Sequence, residues 1–316
     1  MISRADSIVL TTHRHPDGDG IGSQLGLLHA LAAEGKRVYA HNRDGVPRIY
    51  RFLDGSDRVT HGEVFAHGGD VDLIISLDCG GKERLGMPDE FFAHAPLLNI
   101  DHHHGNTMYG DENLVTQASA TGEIIYELIQ RLGLGLNESA ANALYAAILT
   151  DTSSFRLANS TASIHRITAE LIEAGAKPWT VGMHVYENYP RSRLDLLARC
   201  LGTLEVCDDG RSSWLHVDEA MLSETGASLE ETEGFIDFAR SVEGADVSVF
   251  IRHTGPDTWR VSFRSKTVTD VSQVASRFGG GGHRYSAACI THGSLQEVRR
   301  RVGEAVTEIL GDASRT

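Results

Sequence analysis

The stretch that decides the fold of the first half of the chain is SIVLTTHRHPDGDGIGSQLGLLHALAA, residues 7–33. The apolar and β-branched run Ile8 to Thr12 predicts a buried strand, and the spacing of apolar residues from Ile21 to Ala33 predicts a helix. His13, Asp17 and Asp19 lie between the two. A strand, a polar loop and a helix in this order are typical of a parallel α/β sheet, in which ligands bind beyond the carboxyl ends of the strands.

Three further apolar runs in the first half of the chain end in polar residues of the same kinds. They end at Asp78, at Asp101 to His104 and at Asp151. Each cluster has an ordinary explanation when it is taken alone, such as a helix cap, a turn or a solvated surface run. Four such clusters in one half of a chain favour a common site, so we expect them to point into one crevice at the edge of the sheet.

The residue types in these clusters are carboxylate and imidazole, with no thiolate among them. This donor set suits Mn²⁺, Mg²⁺ or a similar hard to borderline ion better than structural zinc. Two ions about 3.5–4 Å apart need one carboxylate that bridges them and separate ligands for each ion. The set is large enough for both, so the sequence predicts a two-metal centre.

The remainder of the chain continues the α/β pattern. Strands are predicted at 37–41, 71–77 and 96–100, followed by nearly continuous helix from 119 to 206, with Asn137 and Ser163 as N-caps. After Tyr189-Pro190 the pattern restarts with strands at 213–217, 247–253, 259–264 and 287–291 and helices at 229–242, 271–278 and 295–310. We therefore predict a catalytic domain at 1–188, a helical linker at 189–207 and a smaller α/β domain at 208–316.

The composition excludes some classes of protein. The formal charge of −14 over 316 residues argues against a protein that coats long nucleic acid. The charge is uneven, because residues 240–316 carry 11 Lys/Arg against 8 Asp/Glu, a balance of +3, which leaves −17 for the rest. This asymmetry indicates metals in the first segment and anion binding in the second. The sequence predicts no secretory leader, no membrane span and reduced thiols, which together indicate a cytoplasmic protein.

The order of these motifs resembles a known family. His13-x-x-Pro16-Asp17-x-Asp19, then Asp78, Asp101-His102-His103 and Thr150-Asp151-Thr152 are similar to the four successive motifs of the DHH phosphoesterase family. Arg264-Ser265-Lys266 and Gly279-Gly280-Gly281-Gly282-His283 resemble its DHH-associated C-terminal domain. The resemblance covers nearly the whole chain, and the length is similar to that of the branch of bifunctional oligoribonucleases and 3′-phosphoadenosine-5′-phosphate (pAp) phosphatases.

The resemblance implies a role for each motif residue. One metal would be held by His13, Asp17 and Asp78, and the second by Asp19, Asp78, His102 and Asp151, with Asp78 as the bridge. Asp101 would orient a metal-bound imidazole, and His103 would face the phosphate and assist the leaving group. Substrate contacts would come from Arg264, Ser265, Gly280, Gly281, Gly282 and His283. Arg156 is a further candidate for a phosphate contact, although a surface ion pair explains it as well.

The run of four glycines at 279–282 allows two interpretations. Consecutive glycines permit positive φ, and their N–H groups can form an anion-binding nest, although a flexible hinge is the alternative for a glycine run in isolation. Together with Arg264 and His283, the run favours nucleotide recognition.

The expected activity is metal-dependent hydrolysis, with two Mn²⁺ ions, or Mg²⁺ or Co²⁺ in their place. The substrates would be short oligoribonucleotides, cleaved to mononucleotides, or pAp, converted to AMP. The alternatives are a cyclic or linear dinucleotide phosphodiesterase and a non-catalytic nucleotide sensor. No membrane partner is expected, and a homodimer is one candidate assembly, since the sequence does not determine the oligomeric state.

Overall fold

The computed structural model describes residues 1–65, 70–93 and 95–313, without the side chains of His283, Asp312 and Ala313. The chain divides into two compact units, Met1–Asn188 and Tyr189–Thr316.

A six-stranded parallel sheet forms the centre of the first unit. Its strand order is β3-β2-β1-β4-β5-β6. The central strands β1, β4 and β5 are buried along their whole length, which fits their continuous apolar runs. The strands are β1 (Ser7–Thr12), β2 (Arg37–Asn42), β3 (Val59–His61), β4 (Leu73–Leu77), β5 (Leu97–Asp101) and β6 (Glu112–Val115).

Among the described residues of the first unit, six helices accompany this sheet, and two of them pack closely at glycines. They are α1 (Gly18–Ala33), α2 (Asp89–Phe92), α3 (Thr121–Leu132), α4 (Glu138–Asp151), α5 (Ala162–Glu173) and α6 (Pro178–Tyr186). Helices α1 and α4 meet at Gly22, where a Cβ atom would lie 2.4 Å from the carbonyl oxygen of Ala143. Only glycine permits this approach. It brings the start of α1 close to the last turn of α4.

The second unit contains another six-stranded sheet, ordered β11-β12-β10-β9-β8-β7. Only β8 and β9 pair in parallel, and the other pairs are antiparallel. Alternation along β10 buries Trp259, Val261 and Phe263 in one core with residues of α10 and α11. The elements are α7 (Arg191–Leu201), β7 (Glu205–Val206), β8 (Ser212–Val217), α8 (Glu219–Thr225), α9 (Ile236–Arg240), β9 (Val247–Gly255), β10 (Thr258–Ser265), α10 (Val271–Arg277), β11 (Gly281–His283), β12 (Ser286–His292) and α11 (Leu295–Ala313).

The predicted α/β class, with a parallel sheet in the first half and a second sheet after it, is confirmed. Two local predictions are wrong. The cap of α5 is Thr161, not Ser163, because the side chain of Thr161 accepts the Ile164 amide. Residues 229–242 do not form one helix, since Gly234 has φ of 79° and separates a 3₁₀ turn from α9. Residues 189–207, predicted as a linker, form α7 and β7 inside the second unit.

Two general properties complete the description. No helix within the described ranges is both long enough and apolar enough to cross a membrane. The cysteines Cys79, Cys200, Cys207 and Cys289 are all free, and only Cys207 is exposed.

Candidate active site

The ends of three neighbouring strands supply the centre of the site. His13 follows β1, Asp78 follows β4, and Asp101 is the last residue of β5. Since these strands are adjacent and parallel, their carboxyl ends meet at one edge of the sheet. The predicted convergence of these residues is therefore observed.

Two further carboxylates reach the same edge from helices. Asp19 lies in the first turn of α1, and Asp151 is the last residue of α4. Residue 151 lies in the region predicted to be helical, and it closes a helix that the packing against α1 directs to the site.

One group of possible metal ligands consists of His13, Asp17 and Asp78. Nε2 of His13 lies 3.7 Å from Oδ1 of Asp17 and 3.6 Å from Oδ2 of Asp78. Nδ1 of His13 is 2.9 Å from the carbonyl oxygen of Arg14, which fixes the ring with Nε2 directed at the carboxylates.

A second group consists of Asp19, His102 and Asp151. Nε2 of His102 lies 3.8 Å from Oδ2 of Asp19 and 3.9 Å from Oδ2 of Asp151. The same nitrogen is 3.5 Å from Oδ1 of Asp78. Asp78 therefore directs one carboxylate oxygen at each group, which is the geometry of a bridging ligand.

The spacing of these atoms fits a metal ion in each group. Two ligands about 2.1 Å from one ion and 90–120° apart lie about 3.0–3.6 Å from each other. The distances from His13 and His102 to the carboxylate oxygens are 3.5–3.9 Å, so each group needs to contract by only a few tenths of an ångström. The donors are carboxylate oxygen and imidazole nitrogen, which suit Mn²⁺.

The electrostatics of the cluster also indicate a need for cations. Burial raises the pKa of Asp19, and the charges of Asp78 and Asp151 raise it further. Burial likewise raises the pKa of Asp151 to about 7. Burial lowers the pKa of His102, but the charges of Asp151, Asp19 and Asp78 outweigh it and raise the pKa to about 9. Each shift reflects several carboxylates held together, a cost that bound cations relieve.

The start of helix α3 holds Asp19 in place. The backbone amides of Thr121 and Gly122 donate to Asp19 at 2.6 and 2.9 Å, and the hydroxyl of Thr121 donates to Oδ1 of Asp78 at 3.1 Å. The first amides of a helix have no partner within the helix and readily bind anions. Neither Thr121 nor Gly122 was predicted as a site residue, because these contacts join residues more than 40 positions apart in the chain.

Asp101 and His103 form a hydrogen-bonded pair next to these groups, and Nδ1 of His103 also lies 3.7 Å from Oδ1 of Asp78. Nδ1 of His103 lies 2.7 Å from Oδ1 of Asp101, and the side-chain amide of Asn106 donates to Oδ2 of Asp101 at 2.6 Å. Asp101 is fully buried, and burial raises its pKa, but His103 and Asn106 lower it to about 2. The carboxylate orients His103, whereas Nδ1 of His102 is 3.3 Å from the carbonyl oxygen of Ala118. Asn106 was not singled out from the sequence.

The backbone at the site is strained. Asp78 has φ of 55°, and Ser153, Ser154 and Phe155, which follow Asp151 closely, have φ of 46°, 60° and 61°. Such left-handed conformations are unfavourable for residues other than glycine and cluster at functional sites. The strain at Asp78 coincides with the carboxylate that lies between the two ligand groups.

The residues predicted to contact substrate are spread over both units. Arg156 is exposed in the first unit, where its Nε donates to the carbonyl oxygen of Ser153 at 2.8 Å. Arg264 and Ser265 lie on β10 in the second unit. The Ser265 hydroxyl donates to Asp246 at 3.3 Å and is 2 % exposed. The Ser265 hydroxyl thus has a hydrogen-bond partner inside the second unit. Among the described residues, Arg264 donates only to the carbonyl oxygen of the adjacent Phe263.

The second half of the glycine run forms a strand. Gly281 and Gly282 belong to β11, which pairs antiparallel with β12. A Cβ atom at Gly280 would lie 2.2 Å from the carbonyl oxygen of Ala288, and one at Gly282 would lie 2.5 Å from that of Ser286. The glycines at 280 and 282 therefore allow close approach of two backbones, and substrate binding by Gly280, Gly281 and Gly282 stays a prediction. The side chain of His283 lies outside the described residues.

Comparison with known proteins identifies relatives that match most of the chain. The model of the DHH family, N-terminal domain, matches residues 7–148, and that of the DHHA1 domain matches residues 217–311. The "bifunctional oligoribonuclease and PAP phosphatase NrnA" of Thermus thermophilus is 34% identical over 307 residues, 96% of this chain and 90% of that protein. The Bacillus subtilis protein of the same name is 30% identical over 289 residues, 89% of this chain and 88% of its own.

A solved structure shows the same fold. It is an exopolyphosphatase-related protein from Bacteroides fragilis, with a TM-score of 0.89 and 26% identity, covering 97% of this chain and 93% of that one. The resemblance found in the motifs is thus confirmed: this chain belongs to the DHH phosphoesterase family, with a DHHA1 domain in its second half.

Proposed function

We propose that this protein is a two-metal hydrolase that cleaves short oligoribonucleotides to mononucleotides and converts pAp to AMP. The observation that carries the proposal is the position of Asp78, whose two oxygens lie 3.6 Å from His13 and 3.5 Å from His102. The names of the relatives from Thermus thermophilus and Bacillus subtilis support the choice of substrate.

The proposed ligand sets follow the two clusters. His13, Asp17 and Asp78 hold one ion, and Asp19, Asp78, His102 and Asp151 hold the other. Mn²⁺ is the proposed ion because imidazole makes the site softer than an all-oxygen site, with Mg²⁺ or Co²⁺ as alternatives. When bound, a pair of such ions supplies an activated water and neutralises charge on the phosphoryl oxygens.

The chain's own residues perform the remaining steps. The amides of Thr121 and Gly122 and the Thr121 hydroxyl keep the carboxylates of Asp19 and Asp78 aimed at the site. Asp101 fixes the ring of His103 through Nδ1, so proton exchange with the leaving oxygen is assigned to Nε2 of His103.

Nucleotide recognition is assigned to the second unit. Arg264 supplies a planar guanidinium, which suits bidentate binding of phosphate. The role of Ser265 is reduced to support of the local backbone, since its hydroxyl is engaged with Asp246. Arg156 stays a candidate phosphate ligand. A cytoplasmic location and a homodimer also stay predictions.

The test is a panel of substrates with Mn²⁺: a dinucleotide, a five-nucleotide RNA, a longer RNA, pAp and a cyclic dinucleotide. We expect turnover of the dinucleotide, the five-nucleotide RNA and pAp, and slower turnover of the longer RNA. A marked preference for the cyclic dinucleotide would favour the alternative activity. Binding of these compounds without any turnover would instead identify a nucleotide sensor.

A further inference from the structure

One face of the second sheet carries three arginines in neighbouring strands. Arg252 on β9 pairs directly with Arg260 on β10, and Arg264 lies four residues further along β10. Side chains two or four residues apart in a strand point to the same face. All three arginines are half-buried. We call the surface formed by Arg252, Arg260, Ser262, Arg264, Ala288 and Ile290 the arginine face.

The hydrogen bonding of these arginines is incomplete. Arg252 donates to two neutral acceptors, the carbonyl oxygen of Leu229 at 3.0 Å and the Thr232 hydroxyl at 2.6 Å. Arg260 has neither a hydrogen bond nor an ion pair with any described residue. Carboxylates at Glu233 and Asp237 contribute to the electrostatic environment of Arg264 but form no ion pair with it in the described part of the chain.

Holding these charges together is unfavourable without an anion. Like charges directly opposite each other on antiparallel strands are destabilising. Burial lowers the pKa of Arg252, and the charge of Arg260 lowers it further. Burial also lowers the pKa of Arg264, where the charge of Arg260 again contributes. An anion placed among the guanidinium groups would relieve both effects.

The surface between the arginines is open on the side of β12 and covered on the side of β9, where Phe250, which pairs with Ser262, is 4 % exposed and packs against Phe235. In β-sheet register, Ser262 pairs with Ala288, and Ala288 pairs with Gly281. A Cβ atom at Gly281 would meet no described heavy atom within 4 Å. Ile290, which pairs with Arg260, is 57 % exposed. On the β12 side, the small residues Ser262 and Ala288 thus separate the two arginine positions, and the exposed side chain of Ile290 lies beside Arg260.

The spacing distinguishes two binding positions. Four residues along a strand correspond to about 13 Å, at about 3.3 Å per residue. A single anion at Arg264 therefore does not also occupy the position of Arg260. Two phosphates separated by more than one nucleotide fit this arrangement, with the apolar surface of Ile290 available to a base.

We propose that Arg260, with Arg252 beside it, forms a second phosphate-binding position, which holds a backbone phosphate of an oligonucleotide beyond the nucleotide bound at Arg264. This inference rests on the proposed function and adds a determinant of substrate length to it. A dinucleotide is too short to use the second position, whereas a five-nucleotide RNA spans both.

The test compares kcat/KM for a dinucleotide and for a five-nucleotide RNA in wild type and in Arg260→Ala. We expect a loss of about tenfold on the five-nucleotide RNA, the size expected for a charge-assisted hydrogen bond, and less than about twofold on the dinucleotide. Arg260→Lys should recover part of the loss, since it keeps the charge without the planar fork. The matched control is Arg300→Ala on α11, the helix that packs on the opposite face of the sheet.

Salt dependence gives a second measurement that a structural role would not change. For the five-nucleotide RNA, log(kcat/KM) decreases with log[salt], and the slope should be less steep by about 0.7 in Arg260→Ala. This is the value for one phosphate contact to a single strand. Equal losses on both substrates, or an unchanged slope, would overturn the inference. If wild type hydrolyses neither substrate, the proposed function fails, and fluorescence anisotropy with labelled five-nucleotide RNA decides the inference: unchanged affinity in Arg260→Ala would overturn it.

Discussion

The sharpest test of the metal centre is the substitution Asp78→Asn. Asparagine keeps the size of the side chain and tolerates the left-handed backbone, φ 55°, better than alanine does. It removes the negative charge that lies 3.6 Å from His13 and 3.5 Å from His102. The Thr121 hydroxyl can still donate to the remaining amide oxygen. The variant therefore changes the ligand while leaving the local fold intact.

The expected loss follows from the bridging position. Each ion contributes several kcal/mol of charge stabilisation to phosphoryl transfer, and Asp78 lies within reach of both ligand groups. A loss of only about 4 kcal/mol corresponds to about 10³-fold in rate. We therefore expect kcat/KM for a dinucleotide to fall by about 10³-fold or more.

The assay needs a stability measurement beside it. Without metal, the melting temperature of Asp78→Asn should equal or exceed that of wild type, because the charge that acts on Asp19 and Asp151 is removed. Asp57→Asn, an exposed carboxylate of the same unit, is the matched control and should retain full activity. Near-normal turnover of Asp78→Asn at saturating Mn²⁺ would refute the bridging role.

Three further predictions concern metal removal, recognition and backbone strain. In chelator, the folded protein has raised pKa values of about 7 for Asp151 and about 9 for His102, so it binds protons more tightly than the unfolded chain does. This difference stabilises the folded protein at low pH, and the stabilisation is lost as the pH rises. The melting temperature of the metal-free protein should therefore fall between pH 5.5 and 9, and Mn²⁺ should raise it more at the alkaline end; the opposite trend would contradict the ligand assignment. Arg264→Ala should lower kcat/KM for a dinucleotide about tenfold and leave hydrolysis of bis-p-nitrophenyl phosphate nearly unchanged; equal losses would show that Arg264 supports the fold. Ser153→Gly should raise the free energy of unfolding in urea by up to about 1 kcal/mol, because glycine adopts φ of 46° without strain, and a lower value would contradict this reading of the turn.

Much of the site could be predicted because its signals are local in the sequence. An apolar run followed at once by a carboxylate or an imidazole marks a strand end, and Asp78 and Asp101 were found in this way. The order of the motifs also identified the family. The type of donor atom, oxygen or nitrogen without sulfur, is a property of composition and indicated the class of metal.

Other features depend on packing between distant residues. Asp151 reaches the site because glycines let α1 and α4 approach each other, not because it follows a strand. The amide of Thr121 binds Asp19, 102 residues earlier in the chain. No periodicity encodes such a contact, because the sequence fixes neither the distance between two helices nor the direction in which a helix begins.

In the second unit, too, some features follow from the local sequence and others depend on tertiary packing. The sequence alone determined that 259–264 is a strand and that the last part of the chain is relatively basic. Only the tertiary structure decided that Arg252 pairs with Arg260, and that Gly281 and Gly282 form a strand whose backbone packs tightly against β12. The physical reason is that alternation along a strand is a local property, whereas the register between strands is selected by the packing of the whole sheet.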